Sequence, residues 1–419
     1  MQATRPSLER PIRELPKRTI WTTAFIVVAV LGSVAGWMSP PVHVSHVESV
    51  LRRTAATAAT APKPNAVVAT RSTSAAKSQV LAAAKRPPRP SLPAQTLPAA
   101  LSNFVVQCGT SLCLRGVPFV IKGATGYGTY DDPDGEIQLA QAGNINTIEL
   151  SEFDTQYHVL SDAMSEATWT RVDRFIAASA QAHMHVILNL SEYGQSLQAA
   201  GQIPETVDWG PYLAFIANRT NSVTGVPYKD DPTIAMVELF GEICYPGETD
   251  SSCPAGTSGT AEQMAEFFHR SLDEWHAAAP NILVSSGGFS HLNGSTTIPW
   301  QQIMADPLNS TCDMEINSPN DVSDSVAKVT SLCQSIGKPW FLAAWSSCYD
   351  STSYPFFTAT DNDMAAHAGD MYSLAAGGDP AAYPAVGSSF WNLQDTGTST
   401  GTCNLSPSFP ATWATIQHG

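Results

Sequence analysis

Positive charge is scarce in most of this chain. After residue 100 there are 9 lysines and arginines against 34 aspartates and glutamates, whereas the first hundred residues hold 13 cations and 3 glutamates. An acidic globular part repels phosphate backbones, which argues against nucleic acid as its partner and suits a neutral polymer such as a polysaccharide. The first hundred residues contain no cysteine, and between 39 and 100 no phenylalanine, tyrosine or tryptophan. A stretch dominated by Ala, Pro, Thr and Ser cannot bury enough apolar surface to offset its ordering entropy, so residues 39–100 are expected to be a disordered linker.

Several sequence signatures are missing as well. No two cysteines have C-x-x-C spacing, which weakens a zinc reading. The glycine-rich GATGYGTY (123–130) is followed by no GKS or GKT, and SSGGFS (285–290) lacks G-x-S-x-G spacing. No metal and no cofactor is implied.

Residues 19–38 carry no charge and follow Arg5, Arg10, Arg13, Lys17 and Arg18. That length can span a bilayer as a helix, and the flanking cations favour a cytoplasmic tail at 1–18. An uncleaved membrane anchor is the preferred reading. A cleaved signal peptide is the alternative, because Ser33-Val34-Ala35 resembles a small-x-small cleavage site. Both export the remainder, so the expected location is extracellular, tethered or secreted. All eight cysteines lie in that remainder, and an even count there reads as disulfides. Neighbour pairing gives 108–113, 244–253, 312–333 and 348–403, a connectivity that sequence alone does not fix.

From residue 101 to 419 apolar runs alternate with helical ones. FVVQC…LCLRG (104–116) suggests a hairpin. Strands are expected at 118–123, 145–150, 184–190, 234–241, 281–286, 312–316, 340–344 and 386–391, with helices at 168–182, 209–222, 260–278, 322–336 and 361–376. Strands that alternate with helices form a parallel sheet, and eight such units in about 300 residues favour an α/β fold of the (β/α)₈ TIM-barrel type. His183-Met184-His185 opens the third of these strands at the barrel bottom, where structural histidines are expected.

A barrel of this kind works at the C-terminal ends of its strands. The residues closing each run include Tyr127, Tyr130, Glu149, Glu152, Glu192, Tyr193, Glu238, Glu242, Asn317, Trp345 and Trp391. Carboxylates and flat rings are what sugar cleavage needs: an acid for the leaving oxygen and faces for the pyranose. Glu242 and Glu149 are the catalytic candidates. Trp391, Tyr127, Tyr193, Asn317 and Trp345 are the substrate-binding candidates, with Glu315 and Asp350 as lesser acids. The structural alternative for each acid is a buried or salt-bridged carboxylate, and for each ring a plain core aromatic.

The run IANRTNSVTGVPYKDDPTIAMVELFGEICYPG (216–247) carries a more specific signal. Together with GVPFVIKGATGY (116–127), AGNINTIEL (142–150), GKPWFLAAW (337–345) and SSFWNL (388–393), it resembles the endo-β-1,4-mannanase branch of glycoside hydrolase family 5 over about residues 104–405. On that resemblance Glu242 matches the acid/base glutamate and Trp391 the tryptophan flooring the sugar site. Four positions depart from it. Glu149 stands for the strand-2 arginine, Gly241 for the asparagine before the acid/base, and Asn317 lies near the strand-6 histidine. Ala344 occupies the strand-7 nucleophile position. The paired exchange suggests that Glu149 has taken over as nucleophile or base. The expected protein is a monomeric glycoside hydrolase acting on β-linked polysaccharide, with mannan foremost and a membrane contact through its N-terminal segment. The other reading is a carbohydrate-binding barrel that no longer cleaves.

Overall fold

The computed structural model describes residues 103–419 apart from 128–131, 152–165, 245–252, 290–291, 293–297, 317–318, 347–359, 382 and 394–404. The expected anchor at 19–38, the linker at 39–100 and the 348–403 pairing lie outside the described residues. No described helix is long and apolar enough to cross a membrane.

Eight parallel strands form one sheet: β4 (Ile121–Tyr127), β5 (Thr147–Ser151), β6 (His185–Asn189), β7 (Ile234–Glu238), β8 (Leu283–Ser285), β9 (Cys312–Ile316), β10 (Trp340–Ser346) and β11 (Gly387–Trp391). Their spatial order is β8-β7-β6-β5-β4-β11-β10-β9, so the chain winds once around. The two ends meet through a parallel bridge from Phe289 to Met314 and a bond from the Glu315 N–H to the Phe289 carbonyl (3.1 Å). The expected TIM-type barrel is therefore present and nearly closed. Each expected strand is found, and the one at 118–123 divides between two sheets.

The N-terminal hairpin is a three-stranded sheet of β1 (Val105–Cys108), β2 (Ser111–Leu114) and β3 (Val117–Phe119). Val105 and Leu112 from it pack with Ile121, Ile187, Met236 and Phe341 inside the barrel, closing the bottom with apolar bulk. His185 lies there too, its ring set edge-on to Phe119 (5.0 Å between centroids), as expected of a structural histidine. His183 is an exposed turn residue with φ +58°.

The helical layer follows from 3.6-residue periodicity. In α5 (Ala261–Ala278), Met264, Phe267, Phe268, Ser271, Leu272 and Trp275 are buried on one face, and Thr260 with Gln263 forms a capping box at its start. The expected helices at 168–182, 322–336 and 361–376 appear as α2 (Glu166–Gln181), α7 (Pro319–Ile336) and α8 (Asp361–Ala375). Shorter helices join them: α1 (Pro133–Ala142), α3 (Ser191–Ala199), α6 (Trp300–Met304) and α9 (Pro410–His418). The helix expected at 209–222 stops early, as α4 (Gly210–Asn218), because the chain turns extended at Arg219 to place that side chain elsewhere.

Arg219 reaches Asp173 of α2 through Nε (3.0 Å) and Nη2 (2.6 Å), while the Tyr228 hydroxyl (2.6 Å) and the Ser222 N–H (3.0 Å) donate to the same carboxylate. The guanidinium also lies over Trp169, 5.0 Å from its ring centroid. Burial alone would push the Asp173 carboxyl up, but the donors from Arg219, Tyr228 and Ser222 outweigh it and hold the carboxyl below its usual range. Three of the expected disulfides, 108–113, 244–253 and 312–333, are formed. Asn309 of one glycosylation sequon is fully buried, its amide donating to Ser286 Oγ and the Ile303 carbonyl, so it offers no acceptor for sugar.

Asp173→Ala strands a buried guanidinium edge and a buried phenol, and is expected to cost about 3–5 kcal/mol. Denaturant unfolding measures this, and a loss under about 1 kcal/mol would mean the clamp behaves as a surface ion pair.

Candidate active site

Side chains alternate across a strand, so outward residues such as Ile148, Leu150, Val237 and Met314 join the helix-facing core while their neighbours point into the barrel. Inward, the middle of the barrel is acidic. Glu149 from β5, Glu238 from β7, Asp313 from β9 and Ser389 from β11 come from alternate strands, the arrangement of one layer in such barrels. Branched aliphatic residues usually fill it.

The Asn189 amide on β6 ties two of these acids together. Its Nδ2 donates to Glu149 Oε1 (2.8 Å) and Glu238 Oε2 (3.3 Å), while its Oδ1 accepts from the Ser191 N–H (2.9 Å). The Thr125 hydroxyl donates to Glu149 Oε2 (3.4 Å). Burial pushes Glu149 up to about 7, partly offset by the Asn189 and Thr125 donors. Glu238 rises well above the usual carboxylate range, through burial first and then repulsion from Glu149, Asp313 and Glu315. Burial lifts Asp313 to about 6 against the pull of Ser285, Thr311 and Lys338. Lys338 is itself buried and donates to the carbonyls of Met304 (2.8 Å), Asp306 and Asn309 (2.8 Å). Near neutral pH the layer therefore keeps protons. Among the described residues no three His, Cys, Asp or Glu side chains are placed to hold a metal ion.

The catalytic candidates differ in setting. Glu242 lies just beyond β7, exposed, with Gln195 Nε2 of α3 donating to its Oε2 (3.2 Å). Glu149 is inside the barrel and 3% exposed. Gly241 explains one departure from the resembling family: a Cβ there would meet the backbone of Gly287 and Gly288, so no asparagine fits. Trp391 ends β11, half-buried, with a cis peptide bond to Asn392.

Two substrate-binding candidates are corrected. Trp345 is fully buried in the outer core, against His367 and Tyr372 of α8 and Phe390. Simple alternation from Phe341 through Ala343 would aim it inward. Between Leu342 and Trp345, however, β10 carries two residues opposite one on each neighbour, and that bulge turns Trp345 out. Tyr193 is also core, stacked on Tyr212 (3.9 Å between centroids) and edge-on to Trp209, because α3 starts directly after β6 and carries it outward. Glu192, beside it, is buried in the first turn of α3. The Tyr127 side chain, Tyr130, Glu152, Asn317 and Asp350 lie outside the described residues. Sequence reasoning missed Asn189, Gln195 and Asp313. The alternation in Cys312-Asp-Met-Glu-Ile, apolar residues framing two acids, was the available signal for an acidic inner face.

No family model matches the chain. A rice protein (Oryza sativa subsp. japonica) named mannan endo-1,4-beta-mannosidase 4 is 33% identical over 90 residues, covering 21% of this chain and 18% of that protein. The chain thus matches less than a fifth of that relative's length. Among solved structures, an endo-1,4-beta-mannanase from Rhizomucor miehei shares 16% identity over 75% of this chain and 98% of its own, with a TM-score of 0.59. A hyperthermostable endo-1,4-beta-D-mannanase from Thermotoga petrophila RKU-1 shares 18% over 72% and 98%, with a TM-score of 0.52. A glycoside hydrolase family 5 mannosidase from Rhizomucor miehei shares 13% over 76% and 99%, also at 0.52. At these identities the likeness to solved structures is one of fold.

The acid layer generates a pH signature. Groups raised from 3.8 or 4.5 to about 6 or 7 contribute stability that is complete below the lower values and lost as pH rises through the higher ones. Glu149→Gln mimics the protonated form, so its Tm relative to wild type is expected to climb from about pH 5 to about pH 8. A Tm difference independent of pH would contradict this.

Proposed function

We propose that the chain is an exported glycoside hydrolase that cleaves β-1,4-linked mannan, with Glu242 protonating the leaving oxygen. The observation carrying this is the placement of Glu242: exposed beyond the fourth barrel strand, oriented by Gln195, at the end of the barrel where Trp391 terminates the eighth strand. Bonds to a sugar oxygen need a proton donor that substrate can reach, and a ring beside it to hold the pyranose face. Mannan as the substrate is supported by the names of the similar proteins and by the strand-4 run from Arg219 to Glu242. The three disulfides support an oxidising, extracellular location.

Hydrolysis at a glycosidic bond needs a second carboxylate. Glu149 is the acid that the sequence puts forward for that part, as nucleophile or as base for water. Its burial and its bonds to Asn189 and Thr125 hold it in one orientation. Tyr127 and Asn317 stay in the proposal as substrate contacts beside Trp391.

Reducing-end release from mannan, glucan and xylan tests the proposal. Wild type is expected to cleave mannan, and Glu242→Gln to lose roughly 10²–10⁴-fold in kcat, the range of a positioned general acid. Sugar binding without any release by the wild type would overturn the hydrolytic reading in favour of a carbohydrate-holding barrel.

A further inference from the structure

Two residues along a strand is one layer along the barrel axis. Above Glu149, Asp313 and Ser389, toward the C-terminal strand ends, come Ser151, Glu315 and Trp391. Glu315 is the one carboxylate among these three, and it brings an acid into the same layer as the tryptophan at the mouth. It is 7% exposed, against 3%, 1% and 0% for Glu149, Glu238 and Asp313. The middle layer lies beneath it.

The Glu315 side chain packs directly against Gly288, a residue without bulk. A Cβ on Gly288 would stand 2.5 Å from Glu315 Cγ, 2.9 Å from its Oε1 and 3.0 Å from the Ala343 methyl. Any larger residue at 288 would push the carboxyl aside. Gly288 in turn abuts Gly241, the residue before Glu242. The end of β7, the segment after β8 and the end of β9 are thus drawn together, with Gly241, the residue before Glu242, on one side of Gly288 and Glu315 on the other. Two strand spacings of about 4.8 Å separate those strands, roughly 10 Å between backbones, from which side chains pointing inward converge. On the far side of Glu315 the β10 bulge sets Ala343 and Ala344 opposite it, and Ala344 is its Cα partner. At the strand-7 position where the resemblance expects a nucleophile there is a methyl group, and the neighbouring strand offers a carboxyl at the same level.

We infer that Glu315 takes the part for which the sequence puts Glu149 forward: it is the second catalytic carboxylate, facing the anomeric carbon while Glu242 protonates the leaving oxygen. The inference rests on the proposed glycosidase activity. In the overall step the C1–O bond breaks, the leaving oxygen takes the proton of Glu242, water supplies hydroxide to C1, and its remaining proton returns to Glu242. No further reactant is required.

The test compares Glu315→Gln, Glu315→Ala and Glu149→Ala in the full chain, on mannan, with thermal unfolding of each variant as the check on folding. Glu315→Gln is expected to retain a cooperative transition and to lose kcat by about 10²–10⁴-fold with KM changed only a few-fold. Added azide, a small anion that can occupy the vacated carboxylate space, is expected to restore turnover to Glu315→Ala and to yield glycosyl azide. With Glu149→Ala, added azide is expected to yield no glycosyl azide. Near-wild-type turnover by Glu315→Gln alongside an inactive Glu242→Gln would overturn the assignment while leaving the hydrolase reading intact. Azide rescue of Glu149→Ala but not Glu315→Ala would overturn it too. A wild type that releases no reducing ends would instead overturn the reading beneath it. If Glu315→Gln fails to fold, Glu315→Ser in the same azide assay decides.

Discussion

Three carboxyl groups meet in one layer of a barrel interior, and their mutual repulsion in a poorly hydrated space is the constraint around which the centre is organised. Glu149, Glu238 and Asp313 cannot all be charged where burial already disfavours one charge. The answer built into the chain is a mixture of retained protons and short polar partners: the Asn189 amide shared between two acids, the Thr125 hydroxyl, and Lys338 fixed beneath by three carbonyls. A barrel filled with valine and isoleucine would be simpler to stabilise. Acids at this depth are the sort of local conflict that functional sites carry.

Above that layer, small residues decide what the mouth can do. Gly241 and Gly288 let two strand ends approach until their backbones nearly touch. The bulge at Ala343 and Ala344 changes the parity of β10, taking Trp345 out of the barrel and leaving methyl groups beside Glu315. Side-chain bulk is small at these positions and large at Trp391, which ends the eighth strand of the barrel.

The run from Arg219 to Asp231 is the part of the chain that carries the resemblance to mannanases most clearly, yet its side chains do structural work. Arg219, Ser222 and Tyr228 converge on buried Asp173 and fix the loop that feeds β7. The loop aims the strand, and Glu242 lies just beyond the strand's end at Glu238. A run that carries a sequence resemblance can therefore act through packing alone.

Much of this was legible in the residues themselves. Alternating apolar and helical runs gave six of the eight strands within a residue or two of their observed ends, because periodicity of 2 and 3.6 is written locally. Neighbouring cysteines gave three disulfides, since short loops favour near partners. Other outcomes depended on tertiary structure. Trp345 and Tyr193 read as rim aromatics because strand ends look alike in one dimension, and only a bulge and a helix start turned them into the core. The acid layer assembled from β5, β7 and β9, residues far apart in sequence whose shared environment arises when the sheet closes. Side-chain type and local period are properties of the chain; which acids face one another, and which of them water can reach, are properties of the closed barrel, because burial and charge repulsion act through space.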